Sequence, residues 1–222
     1  MICTVSTPQG DAGSLALAAY GRLRAMIAEG ILAAGQIVQE RRLAEQLGLS
    51  RTPVRDALGR LEGERLLQRN GRLLLVATIT VPEIMDILRI RWLLEGEAAG
   101  QAALHMQAPE IEAIRAELLG MVSSRSLTDE AHWAVDDRLH NGIALASGNA
   151  ELFRLVTELR QRTRMFGLHR IPARFEQGKQ EHLAILDAIA ARAPERAAQL
   201  MRAHLDHARD AIIATLRRTP AS

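Results

Sequence analysis

Apolar residues recur every three or four positions along most of the 222-residue chain, a period that predicts helices almost throughout. Ala16, Tyr20, Leu23 and Ile27 form one such stripe, with Gly30 able to end it. A second, short helix is predicted near Glu40 to Leu47, closed by Gly48 in the left-handed conformation that glycine adopts without a Cβ clash. Ser50 is the expected N-cap of a third helix, Pro53 falls in its first turn, and Val54, Leu58 and Leu61 supply its buried side. The period then breaks. In RLLQRNGRLLLVATI, Asn70-Gly71 separates two short apolar runs, the pattern of a β-hairpin with a two-residue turn. After ATITV at 77–81, Pro82 is the expected first residue of a new helix. From there the spacing predicts helices near 82–106, 109–124, 128–147, 149–168, 174–192 and 195–217, broken at such points as Ala108-Pro109, Gly148-Asn149 and Ala193-Pro194.

The fold class predicted is therefore mainly α: an N-terminal winged helix-turn-helix with a small β-hairpin wing, then an antiparallel all-helical bundle. The expected division is a loose tail over 1–14, the winged helix over 15–76, a linker over 77–81 and the helical domain over 82–217. Two short helices joined by a glycine turn present Arg51 and Arg55, at i and i+4, on a face the third helix does not bury. Such a helix can enter the major groove of double-stranded DNA, where an arginine reaches G O6/N7 or a phosphate. The hairpin is the wing, its glycine allowing close backbone approach to the nucleic acid.

Charge supports this only modestly. The formal net charge is +2, but residues 51–72 carry six arginines against Asp56, Glu62 and Glu64, a local surplus of 6 − 3 = +3. Lys179 is the sole lysine among 28 basic residues, so arginine richness is a habit of the whole chain. A composition of 48% hydrophobic and 24% charged residues, with no apolar run near the roughly 18 residues of a membrane span and no signal-peptide pattern at the start, points to a cytoplasmic protein without membrane contact. Cys3, the single cysteine, can form no internal disulfide. DEAH at 129–132 matches a helicase signature in letters only, since no Gly-rich phosphate loop accompanies it; no G-x-S-x-G elbow or H-E-x-x-H helix is present either.

The histidines carry a second signal. Asp136 and His140 stand at i and i+4 on one predicted helix. His182 and His204 are each about eleven residues from the Ala193-Pro194 turn, so an antiparallel hairpin of the last two helices sets them at one level. Together the four can converge inside a bundle as three imidazoles and a carboxylate. That set suits a divalent metal ion, zinc first, with nickel, manganese or iron compatible. His132 and His207, one turn away from Asp136 and His204, are alternative ligands; His105 and His169 read as surface residues.

The chain resembles the GntR family of bacterial transcription regulators, in its FadR-like branch with an FCD ligand-binding domain. The resemblance is carried by IAEGILAAGQIVQERRLAEQLGLSRTPVRDALGRLE in the first domain and by RWLLE, DDRLH, SGN, EHLAILDAI and MRAHL in the second, over roughly residues 15–215. It implies a dimeric DNA-binding regulator, a repressor in the commoner arrangement, reading a palindromic operator and answering to a small carboxylate effector. By position it implies DNA contacts from Arg41, Ser50, Arg51, Thr52, Arg55 and the wing-tip Gly71. It also implies metal ligation by Asp136, His140, His182 and His204, and an effector contact from Arg91, whose competing role is an ion pair with Glu95 at i+4. Two positions depart from the family: Arg65 stands where a glycine usually ends the recognition helix, and Asn70 where a basic residue or histidine usually precedes the wing glycine. Two other readings stay open, a regulator for which the metal itself is the signal and a metal-dependent enzyme acting on an organic acid. The enzyme lacks a nameable general base, and not an enzyme is the expectation.

Overall fold

Helix α1 (Ala12–Ala28) begins inside the segment expected to be tail and buries Tyr20, Leu23 and Ile27 as its periodicity requires. The computed structural model describes residues 12–123, 129–166 and 172–218; Cys3 and His169 lie outside the described residues. Packing divides the chain into two units, Met1–Thr78 and Ile79–Ser222. Among the described residues there are nine helices and one two-stranded antiparallel hairpin, the mainly α class expected.

In the first unit α1 packs on α3 (Arg51–Gly63), which in turn packs on α2 (Glu40–Leu47). Leu23, Val54 and Leu61 are fully buried at the centre; each such side chain contributes about 1.5–3 kcal/mol relative to exposure. The sharp turn between α2 and α3 depends on Gly48, whose φ of 67° lies in the left-handed region. Ser50 occupies the N-cap position of α3 but makes no side-chain cap hydrogen bond, so that expected contact is absent. Arg65, at φ 57°, takes the same left-handed conformation. The backbone demands that geometry after α3 whether or not the residue is glycine.

The hairpin pairs β1 (Leu67–Asn70) with β2 (Leu73–Val76), and Asn70 faces Leu73. Its two turn residues are thus Gly71-Arg72, one position later than the expected Asn70-Gly71. Gly71 has φ 59°, and the first turn position is where a glycine relieves most strain. The wing also gains an edge that periodicity did not reveal. Residues 35–38 run beside β2, with Val76 N donating to Gln36 O at 2.9 Å, Val38 N donating to Leu74 O at 2.8 Å, and an Ile37–Leu75 bridge.

The second unit is a bundle of six helices built around α4 (Val81–His105), which packs against α6 (Asp129–Ala146), α7 (Ala150–Met165), α8 (Pro172–Ala190) and α9 (Pro194–Arg218); α5 (Ala108–Ser123) covers α6 and α8. Thr80 caps α4 in a reciprocal box with Glu83, which moves Pro82 to the second helical position rather than the first. Asn149 caps α7 by accepting from Leu152 N at 3.0 Å. Between α8 and α9 the chain turns at Arg192 (φ 57°), whose guanidinium donates to Ala103 O and Met106 O and so closes the C-terminus of α4. Two apolar clusters result. One gathers Ala98, Ala99, Ala102 and Ala103 of α4 with Ile185, Ile189 and Met201; the other gathers Ile84, Ile87 and Leu88 with Leu159, Leu205 and Ile212. On α4, Arg91 and Glu95 fall between the two clusters.

Candidate DNA-reading face and metal centre

On the first unit, Arg41, Ser50, Arg51, Thr52, Arg55 and Gly71 are all exposed. Arg41 projects from α2 and lies 3.6 Å from Glu45. Arg51 and Arg55 leave the first turn and a half of α3, since Pro53, Val54 and Ala57 take its buried side. Both meet the carboxylate of Glu40: Arg51 Nε donates to Oε1 at 2.8 Å, while Arg55 donates from Nε to Oε2 and from Nη2 to Oε1, each at 2.9 Å. Those bonds, Arg55's first, hold the Glu40 carboxyl below its ordinary range. The arrangement offers two guanidinium tips, directed by a shared acid, at the exposed N-terminal end of a helix.

In the second unit, Asp136 and His140 of α6, His182 of α8 and His204 of α9 meet where the two apolar clusters adjoin. The three imidazoles are buried, with ring centroids 4.5, 5.2 and 5.3 Å apart. His182 Nε2 lies 3.3 Å from His204 Nε2; Asp136 Oδ1 is 3.5 Å from His182 Nε2 and 3.9 Å from His140 Nε2. Ligands bound at about 2.0–2.2 Å to one cation stand roughly 3–3.5 Å apart; His182–His204 and Asp136–His182 fall in that range and Asp136–His140 is wider, so among the described residues it is the three histidines that form a compact group able to hold a divalent ion, with Asp136 at its edge.

The outer contacts fit it as well. His140 Nδ1 bonds Glu95 Oε2, and His204 Nδ1 bonds Glu181 Oε2 at 2.8 Å. A carboxylate accepts only, so each Nδ1 carries the proton and each Nε2 lone pair faces the centre. The Nε2 of His140 is buried with no hydrogen-bond partner, an omission that costs about 1–3 kcal/mol unless a ligand satisfies it. Burial pushes the His140 and His182 pKa values down, with Arg160 adding to the effect on the first and His204 to that on the second; both imidazoles are held in the neutral, metal-ligating form. Asp136 stays ionised. Burial alone would raise its carboxyl, but Arg160, whose Nη2 lies 2.6 Å from Asp136 Oδ2 and 2.6 Å from Asp137 Oδ1, holds it well below the usual range.

A cavity of about 60 Å³ opens beside these groups, lined by Arg91, Trp133, Thr163 and the cluster itself. Arg91 makes the ion pair weighed for it and also lines the cavity. Its Nε donates to Glu95 Oε1 at 2.6 Å and its Nη1 to Thr163 Oγ1 at 3.2 Å, while the guanidinium still borders the cavity. His132 lines the same cavity without joining the cluster, His207 is exposed and bonded to Glu181, and His105 is exposed.

Residues 15–73 match the family of bacterial regulatory proteins named gntR, and residues 86–207 match the FCD domain. The chain is a GntR-family regulator with an FCD domain. An uncharacterized HTH-type transcriptional regulator, BphR of Paraburkholderia xenovorans, is 30% identical over 90% of this chain and 85% of its own. A putative L-lactate dehydrogenase operon regulatory protein of Escherichia coli is 31% identical, covering 83% of this chain and 81% of its own. The solved structure of E. coli McbR/YncC is similar at a TM-score of 0.77 and 25% identity, covering 92% of this chain and 97% of that one. As a GntR regulator the protein binds DNA and controls transcription. No described helix is long and apolar enough to cross a membrane.

Glu40, Arg160, Glu181 and Thr163 stand out only in the structure, and Glu95 has a further partner, His140, besides Arg91. Each is a polar side chain that sets the direction of another polar side chain. For the buried ones a signal existed: Glu95 and Arg160 interrupt otherwise apolar helix faces.

Proposed function

We propose that this GntR regulator is a dimeric repressor whose affinity for a palindromic operator is set by a small carboxylate metabolite held at a divalent cation in the FCD unit. The carrying observation is the convergence of His140, His182 and His204, one of their nitrogens buried and unpartnered and Asp136 beside two of them, on a cavity bordered by Arg91. Asp136, His140, His182 and His204 would hold the cation, zinc being the first candidate and nickel, manganese and iron compatible. When bound, the metal would supply a Lewis-acidic centre, and one that takes six ligands would have positions left for carboxylate oxygens. The chain's own residues do the rest. Glu95 and Glu181 fix the imidazole tautomers, Arg160 orients Asp136, and Arg91 offers a guanidinium to the effector's second charge. A cavity of about 60 Å³ corresponds to about four to six water-sized groups, which favours an acid of a few carbons. The relative named for an L-lactate dehydrogenase operon is consistent with that size class.

DNA would be read by Arg51, Arg55, Ser50 and Thr52 from α3, Arg41 from α2 and the Gly71 wing tip, with two copies on inverted half-sites. Effector and operator then act on each other by linkage, typically through about 1–3 kcal/mol of coupling.

The test is a thermal-shift screen of zinc-loaded protein against short mono-, hydroxy- and dicarboxylates, repeated after chelation and with His182→Ala. A ligand at a hundredfold excess over its Kd stabilises by about 2.7 kcal/mol. A rise seen only with zinc, and lost in the variant, is expected. A variant that keeps full zinc stoichiometry removes His182 from the ligand set. If no acid raises Tm while chelation lowers it sharply, the effector reading fails and the metal is structural or itself the signal.

A further inference from the structure

We infer that Glu40 is a positioning residue for DNA reading: its single carboxylate fixes the directions of Arg51 and Arg55 and cancels one of their two charges, trading non-specific affinity for sequence discrimination. The inference rests on the assignment of those arginines as the DNA-reading pair.

The geometry carries it. Like charges at i and i+4 on one helix repel and, left alone, spread into separate rotamers. Here one acid from the first turn of α2 sits between them and accepts three hydrogen bonds of 2.8–2.9 Å. The burial is graded in the useful sense. The Glu40 side chain is 22% exposed, whereas those of Arg51 and Arg55 are 61% and 63% exposed, so the acid lies beneath and the guanidiniums lie outside. Arg51 is gripped through Nε only, which leaves both Nη groups for a bidentate contact. Arg55 is gripped side-on through Nε and Nη2, which leaves its outer edge. Arginine forks read guanine O6/N7 only when their planes are fixed, while a phosphate accepts almost any approach. A device that orders the forks while lowering net charge therefore favours base edges over backbone. It also shares the ordering of two long side chains between one residue and the folded domain, before DNA arrives.

A mere tie between α2 and α3 would predict something different. It would change stability and leave the ratio of specific to non-specific binding, and its salt dependence, where they were. The experiment uses the full-length protein and two probes: a pool of 30-base-pair duplexes randomised at the centre, and one mixed-sequence duplex of the same length outside any selected motif. Wild type, Glu40→Ala, Glu40→Gln, Arg51→Ala and Arg55→Ala are each carried through selection and titration, with melting curves to confirm folding.

The expected result for both Glu40 variants is a several-fold gain in affinity for the mixed-sequence duplex. The slope of log K against log salt should steepen by about 0.9, the value for one more phosphate-facing charge. Enrichment of the selected motif should fall by roughly tenfold. Unchanged enrichment and slope would overturn the proposal. So would an equal loss of affinity for both probes, which marks a structural tie, or a switch of one preferred base at undiminished enrichment, which means Glu40 reads a base itself. The arginine variants separate the two levels of inference. If they bind like wild type, the recognition helix is misassigned; if they lose the motif while the Glu40 variants keep it, only the role of Glu40 fails.

Discussion

Glu95→Gln exchanges one oxygen for a nitrogen at a residue that is 1% exposed, yet it should disable the metal centre. The native carboxylate accepts from Arg91 Nε at 2.6 Å through one oxygen and from His140 Nδ1 through the other. An amide has one accepting end. If its oxygen faces Arg91, which can only donate, its NH2 faces His140 Nδ1. The imidazole then keeps its hydrogen bond only by moving its proton to Nε2, the atom aimed at the cluster. If the amide turns round, NH2 meets the Arg91 N–H and a buried donor pair is left opposed. The first orientation removes the Nε2 lone pair of His140; the second keeps it but leaves the buried Arg91 Nε without an acceptor.

Loss of an outer-shell partner typically weakens a metal site by about 10–100-fold, or about 1.4–2.8 kcal/mol. The fold should suffer too, because Glu95 is the nearest partner of a buried guanidinium, and breaking such a pair costs about 3–5 kcal/mol. The two effects are separable by measuring zinc affinity by competition with a chromophoric chelator at a temperature where melting shows the variant folded. Glu181→Gln should cost less, because its amide can keep its oxygen on His204 Nδ1 and turn its NH2 to the exposed His207. Glu95→Gln protein that is folded and binds zinc as tightly as wild type would refute the tautomer argument. If His182→Ala still failed to bind in that case, the error would lie in the role given to Glu95 and not in the ligand set.

Three further outcomes are expected. Arg51→Ala and Arg55→Ala should each weaken binding to a selected operator by about 1–3 kcal/mol, roughly 5- to 150-fold in titration, with zinc content and melting unchanged. Arg65→Gly should stabilise the first unit by about 0.5–1 kcal/mol, since a left-handed φ of 57° costs a non-glycine residue about 1–2 kcal/mol and glycine's extra unfolded-state freedom returns part of that; a lower denaturation midpoint would show that the side chain does more than occupy the turn. Chelated protein should lose stability as pH falls from 7.5 to 5.0: His140 and His182 have lowered pKa values when folded, so below about 6.5 the unfolded chain binds protons that the folded chain does not. The slope is at most about 1.4 kcal/mol per pH unit for each imidazole, and a flat profile over that window would mean the cluster is not neutral when folded.

Elements were legible in the sequence wherever one local cause decided them. Gly48 fixes the turn of the helix-turn-helix, Val54, Leu58 and Leu61 fix the buried side of α3, and the turn ending at Ala193-Pro194 sets His182 against His204. Errors arose where two causes competed over one or two residues. At the wing, Asn70-Gly71 and Gly71-Arg72 are both credible turns, and the choice is made by the pairing of Leu67 with Val76 far along the strands. Residues 35–38 gained extended structure from β2, a neighbour about forty residues away, which no local window contains.

The site's supporting residues are hidden for another reason: sorting apolar from polar positions does not reveal a polar residue that stands in phase with the buried stripe. On α4 the buried positions run Ile84, Ile87, Leu88, Arg91, Glu95, Ala98, Ala99 and Ala102. Arg91 and Glu95 do not leave that stripe; they continue it at the spacing of three and four, with charges where the packing expects Leu. On α7, Arg160 and Thr163 likewise follow Val156 and Leu159 on the buried face, and on α8 His182 precedes Ile185, Leu186 and Ile189. A lone charge in such a phase cannot be buried without a partner. In-phase polar residues on α4, α7 and α8 imply that the partners are one another. In-phase polar positions of this kind place Glu95 and Arg160 beside the candidate metal centre together with its proposed ligands.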